Sequence, residues 1–205
     1  SELVGVVDLQ EGSRLSHLGV ISTYTGGAAY RVVRTLGAGA YNPDFTANFD
    51  TVISDARIEL NANPSAVVGG AGVSVSSAGT DLKIERTEIH VVNSDIGGGT
   101  VRGINISDAA NVYVFDSQIS ALTNNGEGIR SQSTGRLMVS GSNIFGTSRG
   151  VIVTQNDVAV VNSVIRSSAI GVQAVSPGVL KISSSFVAAP TVVSEVAGGT
   201  VTCAF

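Results

Sequence analysis

One pattern of apolar and polar positions occurs five times between Asp81 and Gly199. It begins as Leu82-Lys83-Ile84-Glu85-Arg86-Thr87-Glu88-Ile89 and comes back at Val112–Ile119, Leu137–Ile144, Val158–Ile165 and Leu180–Val187. The first, third and eighth positions are apolar, and the sixth is Thr or Ser. Alternation at the start of the unit is the period-2 signature of a strand with one buried face. Two small or polar residues then interrupt it, as a corner would. A second segment opens with Gly72, Gly103, Gly128, Gly150 or Gly171, where tolerance of φ > 0 would suit a tight turn. Ile144 to Ile165 is 21 residues and Ile165 to Val187 is 22, with no 3.6-period stripe between them. Short strands joined by corners at that period predict an all-β parallel β-helix solenoid, with three strands per coil and about 7–8 coils. The chirality preference of parallel connections favours a right-handed winding.

The register is regular over residues 51–203 and irregular over 1–50, all read as one domain. Val6 to Leu15 fits the unit if one bulge is allowed, which puts Leu15 on the eighth position, 43 residues before Ile58. Leu36 is then a candidate middle landmark, although Arg31 would fall on a core position. Two coils, or one coil with an insertion from Gly37 to Asp50, satisfy the spacing, and the second is preferred. The next coils shorten: Ile58 to Ile89 is 31 residues, Ile89 to Ile119 is 30 and Ile119 to Ile144 is 25. The extra residues fall at Asn61–Gly70, His90–Arg102 and Ser120–Glu127, one corner of successive coils, and are expected to stack as a lateral lobe suited to binding. Because the chain stops part-way through a coil, it is expected to be a piece of a longer protein.

Composition narrows the classes. The 205 residues are 43% hydrophobic but only 5% aromatic, with no Trp, which suits a narrow core of stacked aliphatics. A net charge of −4 lacks the basic footprint of a nucleic-acid binder. No apolar run approaches the roughly 18 residues of a membrane-spanning helix. The sole cysteine, Cys203, excludes an internal disulfide. It aligns with Ile182 and reads as a small buried hydrophobe, or else as the partner of a cysteine outside this chain. His17 and His90 are far apart, and no cluster has the spacing of a transition-metal site.

Stacked coils turn aligned positions into columns. The fifth column, Asp55, Arg86, Asp116, Gly141, Asn162 and Ser184, alternates in charge at its start, as register-keeping ion pairs would. The sixth column, Thr87, Ser117, Ser142, Ser163 and Ser185, reads as a hydroxyl ladder rather than a set of nucleophiles. Ligand contacts are expected from Arg86, His90 (opening the longest insertion), Tyr113, and the turn residues Asn124, Asn125 and Glu127. The run Asp95 to Thr100 is glycine-rich but lacks the Lys-Ser/Thr of a phosphate loop. Tyr113, Phe115, Met138 and Phe145 make an apolar strip if exposed.

The coil pattern over roughly residues 51–203 resembles the right-handed parallel β-helix proteins of the pectin-lyase-like superfamily. The resemblance implies a secreted or cell-surface protein, either an adhesin or tail-spike-like segment that binds glycans without turnover, or a polysaccharide lyase or glycoside hydrolase. A structural spacer or oligomerisation module is the third option, so partners are a glycan, another protein surface or further copies of the chain, with no nucleic acid and no membrane insertion. For an enzyme, Glu85, Glu88 and Asp116 would supply a carboxylate cluster and Arg130 a base, with calcium as the one cofactor the resemblance allows. The Asn-Thr-Asp, Asp-Asp, Gly-His-Gly and Arg-Ile-Lys signatures of polygalacturonase-like enzymes are absent. Their absence favours the non-catalytic reading.

Overall fold

A computed structural model of the chain describes residues 2–10, 12–24, 30–36, 51–62, 69–76, 78–93, 99–155 and 157–204. Twenty-four strands lie among these residues, and every third strand in chain order belongs to the same sheet. The result is a right-handed parallel β-helix with three sheets of eight strands. Sheet A begins with Glu2–Val4 and ends with Phe186–Ala188; sheet B runs from Val7–Gln10 to Thr191–Val196; sheet C runs from Arg14–Ser16 to Thr200–Ala204.

The apolar positions become continuous files. In sheet A, Val20, Ile58, Ile89, Ile119, Ile144, Ile165 and Val187 pair in register from one winding to the next. All are buried except Val187, which is half-buried in the last winding. The first and third positions do the same in sheet C, where Leu82, Val112, Leu137, Val158 and Leu180 stand beside Ile84, Val114, Val139, Val160 and Ile182. Neighbouring strands lie about 4.8 Å apart, so each buried aliphatic rests on its counterparts above and below.

The glycines that open sheet B have a different cause from the one expected. Gly72, Gly103, Gly128, Gly150 and Gly171 do not have positive φ. They are required by close approach: a Cβ on Gly103 would meet Ile119 Cγ2 at 2.3 Å, and one on Gly150 would meet Ile165 Cγ2 at 2.3 Å and the Gly171 carbonyl oxygen at 2.6 Å. The isoleucine file therefore occupies the volume the glycine column leaves empty. One winding before Gly72, Val32 stands in the glycine column and Val20 in the isoleucine file.

Positive φ falls instead on the fifth column. His17, Asp55, Arg86, Asp116, Gly141, Asn162 and Ser184 all adopt φ between 46° and 63°. They form the corner between sheets C and A, where Asp, Asn and Gly are the residues that tolerate a left-handed backbone. The sixth column next to it is the expected hydroxyl ladder. The Ser117 N–H donates to Ser142 Oγ at 3.1 Å, and Ser142 Oγ donates to the Ser140 carbonyl at 2.9 Å. Thr87, Ser163 and Ser185 continue it: each hydroxyl donates to the carbonyl two residues back, and those of Ser117, Ser163 and Ser185 accept the N–H of the preceding winding.

Several expectations need correction. Leu15 pairs with Ile53, on the third position, and Val20 takes the eighth. Arg31 is exposed rather than in the core. Cys203 does align with Ile182 but is exposed, because Thr200–Ala204 is the edge strand of sheet C among the described residues. Part of the expected insertion lobe is continued sheet: Arg57–Ala62 and Glu88–Asn93 pair along their whole length. Residues 63–68 and 94–98 of that lobe, and the insertion at 37–50, lie outside the described residues, while Ser120–Glu127 is the end of the strand Gln118–Leu122, a turn and the first residue of Glu127–Ser131.

Candidate functional site

The polar residues singled out in the sequence are distributed over three outer faces. At the edge of sheet C, Arg86 makes a bidentate pair with Asp55, Nε to Oδ1 at 2.7 Å and Nη2 to Oδ2 at 2.8 Å. Glu85 takes Lys83 at 2.6 Å and Arg86 at 3.2 Å, and Lys83 stands 5.9 Å over the Phe115 ring. These hydrogen bonds hold both carboxyls below their ordinary range, Asp55 through Arg86 and Glu85 through Lys83 first and Arg86 after it. The charge column is thus paired on one side of Arg86, towards Asp55. Asp116 sits on the next corner, exposed, with Gly141 stacked against its Oδ1.

Glu88 lies on sheet A, 3.9 Å from Arg57, and more than half of its side chain is exposed. The expected cluster of Glu85, Glu88 and Asp116 does not form: strand alternation and the corner send the three to different faces. Among the described residues no three His, Cys, Asp or Glu side chains come close enough to hold a metal ion. Tyr113 is 9% exposed on sheet C and Phe145 lies on sheet A, so the apolar strip is not one surface.

Sheet A carries a shallow groove. His90 is not the start of a loop but lies inside the strand Glu88–Asn93, where its Nδ1 is 2.7 Å from Ser120 Oγ. Residues two apart in a strand share a face, so Gln118 and Ser120 project together and repeat as Asn143 and Phe145 one winding on. Between these two rails is a cavity of about 260 Å³, floored by Ile119 and Ile144 and edged by Glu88 and Arg166.

Sheet B holds a second charged cluster. Arg102, Glu127 and Arg149 pair in register on three successive strands, each immediately before a glycine of the close-packed column. Glu127 is 2% exposed and accepts from three arginines: Arg102 Nε at 2.9 Å, Arg130 Nη1 at 3.3 Å to either oxygen, and Arg149 Nη1 at 3.4 Å. Arg149 Nε also donates to Gln173 Oε1 at 2.6 Å, and Gln173 Nε2 to Ser194 Oγ at 3.2 Å. Burial pushes the Arg102 guanidinium down from its ordinary value; Glu127 opposes this, and Arg130 and Arg31 add to it. Asn124 and Asn125 are exposed in the turn that delivers Glu127, and this turn has no positive φ. Gly126 is needed there because a Cβ would meet the Ala121 carbonyl oxygen at 2.1 Å.

The sequence reading placed Glu127 and Arg130 among the site residues and missed Arg102 and Arg149. Their signal was the column one residue before each glycine, which reads Ala71, Arg102, Glu127, Arg149, Ile170. As a guanidinium clamped on a carboxylate, Arg130 is a cationic partner rather than a proton acceptor.

These features define a parallel β-helix with polar outer faces. No protein-family model and no curated protein matches the chain. Among solved structures it is similar to full-length tailspike protein 2 from Escherichia coli O157:H7 bacteriophage CAB120, at 11% identity and a TM-score of 0.39. The match covers 87% of this chain and 30% of the tailspike, so the chain spans less than a third of that protein's length. Among the described residues no helix is long and apolar enough to cross a membrane.

Proposed function

We propose that the chain is a non-catalytic β-helix segment, displayed outside the cell, that recognises a glycan on the outer face of sheet A. The observation that carries this reading is the groove of about 260 Å³ beside Phe145. The amides of Gln118 and Asn143 stand on one rail and the Phe145 ring and Arg166 on the other. An aromatic ring offers a sugar its apolar face, and amides pair with sugar hydroxyls. A register-locked sheet holds both without loop ordering, which lowers the entropic cost of binding.

Three ion-paired carboxylates, Asp55, Glu85 and Glu127, are better suited to binding than to general-acid catalysis. Glycoside cleavage by general acid needs a carboxyl kept protonated at working pH. Asp55 and Glu85 are instead held as anions, and Glu127 is enclosed by three guanidinium groups.

The test is calorimetric titration with a panel of neutral and acidic oligosaccharides, alongside an assay for product. Binding without product is expected, and Phe145→Ala should weaken it roughly three- to tenfold. Product release from any polysaccharide overturns the reading, as does a panel in which nothing binds. A second reading, an assembling spacer, is favoured by the exposed Phe186, Val192, Val193 and Val196 at the last winding. Sedimentation showing concentration-dependent oligomers, lost on Phe186→Ser, would support it.

A further inference from the structure

The cluster on sheet B is not closed on itself. The two oxygens of Glu127 receive four contacts at 2.9–3.4 Å, which fills a carboxylate's lone-pair sites. Three guanidinium groups share that one carboxylate, leaving two positive charges in excess. Among the described residues no other Asp or Glu pairs with any of the three. Their side chains are 22%, 23% and 31% exposed, so a ligand can reach them from outside. Arg31 lies in the same column two windings away, exposed, and is felt at Arg102 as further positive charge.

A second observation is independent of the charge. In the neighbouring outward column Ser74, Asn105 and Arg130 pair on three successive strands. Ser74 Oγ, Asn105 Oδ1 and Arg130 Nε are each shut off from solvent without a hydrogen-bond partner, and Ser74 is 0% exposed. Buried polar atoms in folded proteins are nearly always paired, so three orphans in one row call for a cause. The row offers an acceptor, a hydroxyl and an N–H donor beside the guanidinium groups. A bare oxyanion supplies only acceptors; an acidic saccharide supplies acceptors and hydroxyl donors together.

We propose that the outer face of sheet B is a second binding site, separate from the groove on sheet A, in which Arg102, Arg130 and Arg149 receive the carboxylate or sulfate group of an acidic saccharide beside Glu127. Glu127 gathers the three partly exposed guanidinium groups on one face, and their excess charge attracts the ligand. The Ser74 to Arg130 row then pairs with the sugar hydroxyls as the arginine side chains shift to admit it. Charge-assisted hydrogen bonds from planar guanidinium forks make this a site for an oxyanion.

The test uses 3′-sialyllactose, lactose and inorganic sulfate as probes, titrated calorimetrically into the wild-type chain and into Arg130→Gln, Arg149→Gln and Lys181→Gln. Lys181 lies on sheet C, and its variant removes the same charge elsewhere. Sialyllactose is expected to bind with an affinity that falls with salt, lactose not to bind at this face, and sulfate to compete. Either arginine variant should weaken sialyllactose about ten- to hundredfold, and the Lys181 variant should not. Circular dichroism checks that each variant is folded. If the arginine variants do not fold, amide shifts at Gly103, Gly128 and Gly150 in the wild type on adding sialyllactose decide the matter. No saturable binding of sialyllactose or sulfate, or equal losses in all three variants, overturns the proposal. Sulfate that binds without competing with sialyllactose also overturns it. Neutral glycans binding without sialyllactose would remove this site and keep the groove on sheet A; the reverse would remove the groove and keep this site.

Discussion

Glu127→Gln removes the one negative charge among three arginines while keeping the volume of the side chain. The carboxylate now answers Arg102, Arg130 and Arg149 at 2.9–3.4 Å. The amide would offer one acceptor oxygen and turn an NH2 donor towards a guanidinium. Arg102 and Arg149 are two windings apart, about 9.6 Å, where like charges at an effective permittivity of ~20 repel by about 1.7 kcal/mol. Breaking a fully buried pair costs about 3–5 kcal/mol, and here the arginines are partly exposed, so about 2–4 kcal/mol is expected. For a chain of this size that lowers the melting temperature by about 4–16 °C. The assay is thermal unfolding by circular dichroism, in chloride and in sulfate at equal ionic strength. Sulfate should recover more of the loss in the variant than it adds to the wild type, because an anion seated among the arginines stabilises the folded state by linkage. A variant that melts within a degree of the wild type, or one that gains no more from sulfate than from chloride, refutes the electrostatic reasoning.

Three further outcomes follow from the packing and the ion pairs. Gly150→Ala places a methyl 2.3 Å from Ile165 Cγ2 and 2.6 Å from the Gly171 carbonyl oxygen, and should cost about 1–3 kcal/mol in chemical denaturation. Ser142→Ala leaves the buried Ser117 N–H without an acceptor and should cost about 1–3 kcal/mol, whereas Thr at the same position should preserve the ladder. Asp8, which Arg34 grips at 2.7 Å, Asp55 and Glu85 have folded values below their ordinary 3.8, 3.8 and 4.5, so their contribution is fully present above those values and is lost as pH falls through the lower folded ones. The melting temperature should hold from neutral pH down to about 5 and decline below about 4; a decline that begins near pH 6 would contradict the assignment.

How far the sequence could be read depended on periodicity. Because every winding repeats the same alternation, the pairing of Ile58 with Ile89, Ile119, Ile144 and Ile165 was legible before any coordinates, and so was the hydroxyl ladder. Leu15 was misplaced because the first windings lack the Gly–Ile pair that marks the register further on. The glycine column was recognised but given the wrong cause. A sequence reports the small residue, and only packing shows that the neighbouring isoleucine methyl fills its place.

The local pattern of this chain determined its strands, its corners and which side chains face inward, since alternation and stacking act between near neighbours and successive copies. What lies together on the outside was decided by the third dimension. Glu127 is 25 residues from Arg102 and 22 from Arg149 in the sequence, yet one strand spacing from each. Glu85 and Glu88 are three residues apart and face different ways. Coil length sets which outward residues become neighbours, and insertions of unequal size hide that correspondence until the windings are stacked.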